Sequence, residues 1–105
     1  MALSYQDQAK VFKALCDPKR IAILQLLRSG EKCACVLLDS LELTQSGLPY
    51  HMKVLCESGL VSSRPEGKWT HYRLNPDGRD AAVRLLKELT TPDAEAETGC
   101  SCHDR

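Results

Sequence analysis

Apolar residues recur at helical spacing along most of this chain, with one switch to the two-residue alternation of strands. Ser4 is placed to cap a first helix running to about Cys16, with Val11, Phe12 and Leu15 on one side. Asp17-Pro18 then marks a restart, with Asp as cap and Pro in the first turn. The next helix, Lys19 to Ser29, carries Ile21, Ile23, Leu24, Leu26 and Leu27, which is too apolar all round for a surface helix. Gly30 ends it. Residues 33–42 predict a short third helix with Leu37, Leu38 and Leu41 inward. After a turn, Thr44 or Ser46 caps a fourth helix to about Ser58, with Leu48, Met52 and Leu55 as its buried stripe. Leu60–Arg64 and Trp69–Leu74 predict two strands around a four-residue loop, Pro65 to Lys68. Asn75-Pro76-Asp77 opens a last helix, with Ala81, Ala82, Leu85, Leu86 and Leu89 on one side, and Thr91-Pro92 closes it.

Four helices, a hairpin and a final helix, with two short helices joined by a tight turn ahead of the hairpin, spell a winged helix-turn-helix. The fold expected is mainly α with a two-stranded β-hairpin. Residues 1–91 form its single domain, and residues 92–105 form a flexible tail that is acidic and cysteine-bearing.

Size and charge narrow the role. With 105 residues, 43% of them apolar, there is enough for one modest core, and pairing with a second copy would add burial. Net charge is zero, but residues 93–105 hold four acids and one base, leaving 13 bases against 10 acids before them. A slightly basic body with an acidic tail is compatible with nucleic acid. No run approaches a membrane span, and the first residues lack the pattern of a secretory signal, so the expected location is cytoplasmic, with no membrane partner. Six cysteines in a reducing compartment suggest metal binding or redox sensing rather than disulfides.

Several segments bear a resemblance to one family. Leu15-Cys16-Asp17-Pro18-Lys19-Arg20-Ile21, Glu31-Lys32-Cys33-Ala34-Cys35, Gln45 to Leu55, Glu57-Ser58-Gly59-Leu60-Val61 and Glu66 to Leu74 together resemble the ArsR/SmtB family of metal- and metalloid-responsive repressors. The likeness covers about residues 8–90 without gaps. It implies a homodimer through the first and last helices, a palindromic operator beside resistance or efflux genes, and ligand binding that lowers DNA affinity.

Recognition helices read bases with their N-terminal part while phosphates fix their register. The polar side chains placed there are Gln45, Ser46, Tyr50, His51 and Lys53. Gln45 can pair with adenine, Ser46 and Tyr50 can donate to phosphate or base, and Lys53 and His51 suit phosphate. His51 also suits a buried role against the preceding helix. Arg64 and Lys68 flank the wing loop, where one can enter the minor groove.

Trivalent arsenic and antimony favour three thiolates, and soft divalent ions such as cadmium also select sulfur. Cys33 and Cys35 are the leading ligands. Within a regular helix they would point about 200° apart, so one ion held by both would have to distort the start of the third helix. The arsenic-sensor pattern has a third cysteine where this chain has Leu38, which leaves Cys100 and Cys102 as candidates, from either subunit. Cys16 and Cys56 are weaker candidates, more simply buried packing residues. The family's zinc sensors use Asp and His pairs on the last helix, and residues 76–90 contain no histidine.

The function expected is therefore a dimeric, metalloid-responsive repressor of double-stranded operator DNA, induced by As(III) or Sb(III), with no organic cofactor. The alternative is a redox-sensing or cadmium/lead-sensing repressor of the same fold. Enzymatic thiol chemistry, as in arsenate reduction, would need a phosphate-cradling loop or a C-x-x-C pair, and neither occurs.

Overall fold

The computed structural model describes residues 3–41 and 47–94. The order is α1 (Tyr5–Lys13), α2 (Pro18–Leu27), β1 (Lys32–Cys33), α3 (Ala34–Leu41), α4 (Gly47–Glu57), β2 (Val61–Glu66), β3 (Trp69–Leu74) and α5 (Pro76–Thr90). The caps foreseen at three helix starts are present. Ser4 accepts from the Asp7 amide at 3.1 Å, Asp17 from Lys19 at 2.7 Å and Asn75 from Asp77 at 3.2 Å. Each satisfies an amide that the helix itself leaves without a partner.

The sheet has three strands, ordered β1-β3-β2 and antiparallel throughout. The third strand is only two residues long, too short for an alternation signal, and it pairs Lys32 with Tyr72 and Cys33 with His71. The hairpin loop is also tighter than expected. Glu66 pairs with Trp69, so only Gly67 and Lys68 turn, and Gly67 adopts a φ of 63° that a side chain disfavours. Pro65 lies in β2, opposite Thr70, rather than in the loop. β2 is an edge strand, where a missing N–H is tolerated.

One core joins α2, α3, α4 and the sheet. Ile23, Leu27, Leu37, Met52 and Leu55 are fully buried, with Ala34, Leu48, Val54 and Val61 around them. The stripe Leu48, Met52 and Leu55 is thus as predicted, while Leu38 and Leu41 are only partly buried. α2 is less enclosed than its composition suggested, because Ile21 is 47% exposed. α1 and α5 bury no residue, and Leu15, Val83, Leu86 and Leu89 stand open. A 570 Å³ apolar groove runs between α2 and the start of α5, lined by Leu15, Ile21, Leu24 and Val83 among others.

A close backbone approach fixes where α5 departs. A Cβ on Gly78 would lie 1.7 Å from the Gly59 carbonyl oxygen, so this contact requires glycine. The Asn75 side chain donates to that same carbonyl at 3.1 Å, and its amide donates to Leu60 at 2.9 Å. The end of α4, the end of β3 and the start of α5 are thereby tied together.

Candidate nucleic-acid interface and thiol pair

α4 owes its position to its buried stripe, which turns Tyr50 and Lys53 outward. Tyr50 is 52% exposed and its ring lies beneath two cations, Lys13 Nζ at 5.8 Å and Arg20 at 6.0 Å from its centroid. Gln45 and Ser46 lie outside the described residues. His51 is half-buried, and its Nδ1 sits 3.1 Å from an Arg20 terminal nitrogen. The buried role open to it in the sequence lies against the preceding helix, whereas its partner Arg20 belongs to α2, and Nε2 is the ring nitrogen left for a phosphate.

The wing separates its two basic residues. Lys68 is exposed at the tip. Arg64 is engaged at the flank, where it donates to Glu31 and, at 2.9 Å, to Glu66. These bonds push its guanidinium further toward the charged form and hold the Glu31 carboxyl below its ordinary value. His71 stands between the same two acids, with Nε2 3.4 Å from Glu66 and Nδ1 3.9 Å from Glu31. Sequence reading missed this arrangement, because pairing across strands, not spacing along the chain, unites Arg64, His71 and Glu31.

The thiol pair sits at the inner edge of that cluster. Cys33 is extended and ends β1, and Cys35 lies in the first turn of α3. The helix starts one residue later than the spacing suggested, so the two side chains are not held on opposite faces of one helix. Instead the Cys35 amide donates to Cys33 Sγ at 3.2 Å, and the two thiols hydrogen-bond. The bond from the Cys35 thiol lowers Cys33, aided by the Cys35 and Val36 amides against desolvation and the Glu66 charge. Cys35 is raised by the same thiol bond, then by desolvation. Cys33 is thus the easier of the two to deprotonate and Cys35 the harder.

Cys33 also faces His71 across the strands, and His71 faces Arg64, so the three form one row across the sheet. Among the described residues no group of three metal-ligating side chains gathers at one point. The donor set is two adjacent sulfurs, which fits two positions of a three-sulfur site. Cys100 and Cys102 lie outside the described residues. Cys16 is exposed rather than buried, its thiol donating to the Phe12 carbonyl at 3.4 Å. Cys56 is half-buried, with its thiol pushed up by desolvation.

Two short helices followed by a wing on a shared core define a winged helix-turn-helix, the architecture of DNA-binding transcriptional regulators rather than enzymes. Residues 17–63 match the family model described as bacterial regulatory protein, arsR family. The arsenical resistance operon repressor of Staphylococcus xylosus is 38% identical over 100 residues, covering 95% of this chain and 92% of that protein. The repressor of the same name in Escherichia coli K12 is 38% identical over 87 residues, covering 82% and 74%. The chain belongs to the ArsR family. Among solved structures, the homodimeric winged helix-turn-helix domain of Mb0332 from Mycobacterium bovis, a possible ArsR-family regulator, superposes with a TM-score of 0.64 at 29% identity, covering 80% of this chain and 82% of that one. No helix of the described residues is long and apolar enough to cross a membrane.

Proposed function

We propose that this chain is a cytoplasmic repressor that binds operator DNA as a dimer and releases it when trivalent arsenic or antimony is captured by Cys33 and Cys35. The observation that carries this is the hydrogen-bonded thiol pair at the joint between β1 and α3. β1 pairs with the wing strand β3, while Ala34 and Leu37 of α3 share the core with Leu48 and Met52 of the recognition helix. The thiols thus sit where a strand of the wing sheet meets a helix that shares the core with the recognition helix.

Gln45, Ser46, Tyr50 and Lys53 are assigned to the major groove and its phosphates, and Lys68 to the wing contact. The Arg64 ion pairs make it the weaker wing candidate, and His51 has only Nε2 to offer. The apolar faces of α1 and α5, with Ile21 added from α2, are the surface for the second copy. Residues 1–91 act as the domain, and residues 92–105 as the tail carrying Cys100 and Cys102, from which the third sulfur is drawn.

A trivalent metalloid supplies three bonds to thiolate sulfur in a pyramidal arrangement. Each thiol that joins takes the place of one hydroxyl of arsenite, so an S–As bond replaces an As–O bond and the thiol proton leaves with that hydroxyl as water, which draws the Cys33 and Cys35 sulfurs onto one atom. The joint where β1, paired with the wing strand, meets the first turn of α3 is then rebuilt around the bound atom. The titration that tests this uses duplex DNA from upstream of the protein's own gene, with arsenite added under strong reductant. Release by micromolar arsenite, lost in Cys33→Ser and Cys35→Ser, is expected. Release only by oxidants, with none by arsenite, would assign the pair to redox sensing; unchanged arsenite release in both variants would place the site elsewhere.

A further inference from the structure

Arg20 is a charged side chain with 5% of its surface exposed, an unusual burial that DNA contact does not explain. It lies at the start of α2, yet its bonds leave that helix. Nε donates to the Ala14 carbonyl at 3.3 Å and one terminal nitrogen to the Lys13 carbonyl at 2.9 Å, both at the C-terminal end of α1. Carbonyls there lack helical partners, and the helix dipole favours a cation beside them. The other terminal nitrogen meets His51 Nδ1 at 3.1 Å, with Asp17 at 4.0 Å from the same atom. A single planar fork therefore spans from the end of α1 to the recognition helix.

Geometry settles the direction of the last bond. A guanidinium has only donors, so Nδ1 of His51 must be the acceptor and the ring must be neutral, with its proton on Nε2. We infer that Arg20 is a positioning residue that locks the recognition helix to α1 through neutral His51, and that protonating His51 opens the lock and weakens DNA binding. The inference rests on the DNA-binding function proposed above. In the protonated ring both nitrogens donate, so the Arg20 bond is lost and two cations stand in contact. The groups facing the ring are Asp17 and Arg20 from the start of α2 and Tyr50 on its own helix, with Lys13 of α1 beyond, over the Tyr50 ring.

The sign of the pH effect separates this role from a phosphate contact. A histidine gripping phosphate binds DNA more tightly as it charges; one that accepts from Arg20 binds less tightly. The test measures affinity for the upstream duplex by anisotropy from pH 8 to pH 6 at fixed salt, with the wild-type protein, His51→Gln and His51→Leu. Gln offers a carbonyl acceptor that does not titrate, and Leu offers none. Wild-type affinity is expected to fall with acid, by up to about tenfold per pH unit for each ring that charges, and a dimer carries two. His51→Gln should lose the His51-dependent slope and bind more tightly than His51→Leu at every pH, while His51→Leu is weak throughout although its circular dichroism is native. His71 and His103 remain in all three proteins, so the difference between profiles belongs to His51. Tighter wild-type binding at pH 6, abolished by His51→Gln, would overturn the inference in favour of a phosphate contact, and so would identical slopes in wild type and His51→Gln. Absence of wild-type binding at pH 8 would instead overturn the DNA-binding reading.

Discussion

The two ends of this chain and its middle are built on different terms. Among the described residues, every buried apolar side chain lies between positions 14 and 61, in Ala14 at the end of α1 and in α2, α3, α4 and β2. α1 and α5 hold no fully buried residue, and Leu15 just after α1 stands open with Val83, Leu86 and Leu89 of α5. The middle closes its core within a single copy, while the outer helices leave apolar side chains open, the surface proposed above for the second copy. The contrast teaches that two kinds of substitution must be told apart: those that unfold the domain and those that leave it folded but separated from its second copy.

The largest expected effect comes from the outer helices. Leu86→Glu with Leu89→Glu should leave the helical circular dichroism of the domain in place. It should convert a dimer to a monomer in sedimentation equilibrium and weaken operator binding by about a hundredfold or more, since two half-sites are no longer engaged together. In the middle, Leu55→Ala should instead cost about 2–5 kcal/mol in denaturant unfolding, because the site is fully buried. If the α5 double variant unfolds as Leu55→Ala does, the contrast between the regions fails.

Gly78→Ala probes the joint between them. The added methyl meets the Gly59 carbonyl, so the start of α5 must shift. A loss of about 1–3 kcal/mol is expected in the same unfolding experiment, together with weaker dimerisation, because the departure angle of α5 changes.

Much of this organisation was legible in the sequence, for reasons that can be named. The caps at Ser4, Asp17 and Asn75 and the stripe Leu48, Met52 and Leu55 depend on residues close along the chain, and local spacing reveals them. The exposure of Ile21 was not legible, because composition alone cannot distinguish a face turned to the core from one turned to a second copy. β1 was missed because two residues carry no period. The true start of α3 at Ala34 follows from that strand, and it turned an expected conflict between Cys33 and Cys35 into a contact. Arg20 with His51, and Arg64 with Glu31, join residues more than thirty positions apart, which no local pattern encodes.

Smaller effects sharpen the account on the DNA side. Lys53→Glu, on the exposed face of the recognition helix, is expected to abolish the gel shift. Lys68→Ala should weaken binding across sequences and reduce the slope of log affinity against log salt by about one. Arg64→Ala should change the slope little, since its charge is already met by two carboxylates. A drop as large as that of Lys68→Ala would return Arg64 to the groove.

The smallest effect concerns acid. Glu31 is held below its ordinary 4.5, first by the Arg64 hydrogen bond, so its pairing adds stability above that value that is lost as pH falls through the lowered one. The pair is largely exposed to solvent, so only a slight shift of the acid-unfolding midpoint is expected, and Glu31→Gln should remove it.

The most direct test of sensing uses the only tryptophan, Trp69, which begins the wing strand β3 beside the sheet row that contains Cys33. Arsenite added under reductant should shift Trp69 emission and lower the anisotropy of labelled operator DNA at the same equivalence point, and Cys33→Ser should lose both responses. A protein whose Trp69 emission reports full arsenite loading while the DNA stays as tightly bound as before would contradict the claim that sulfur capture and DNA binding exclude each other.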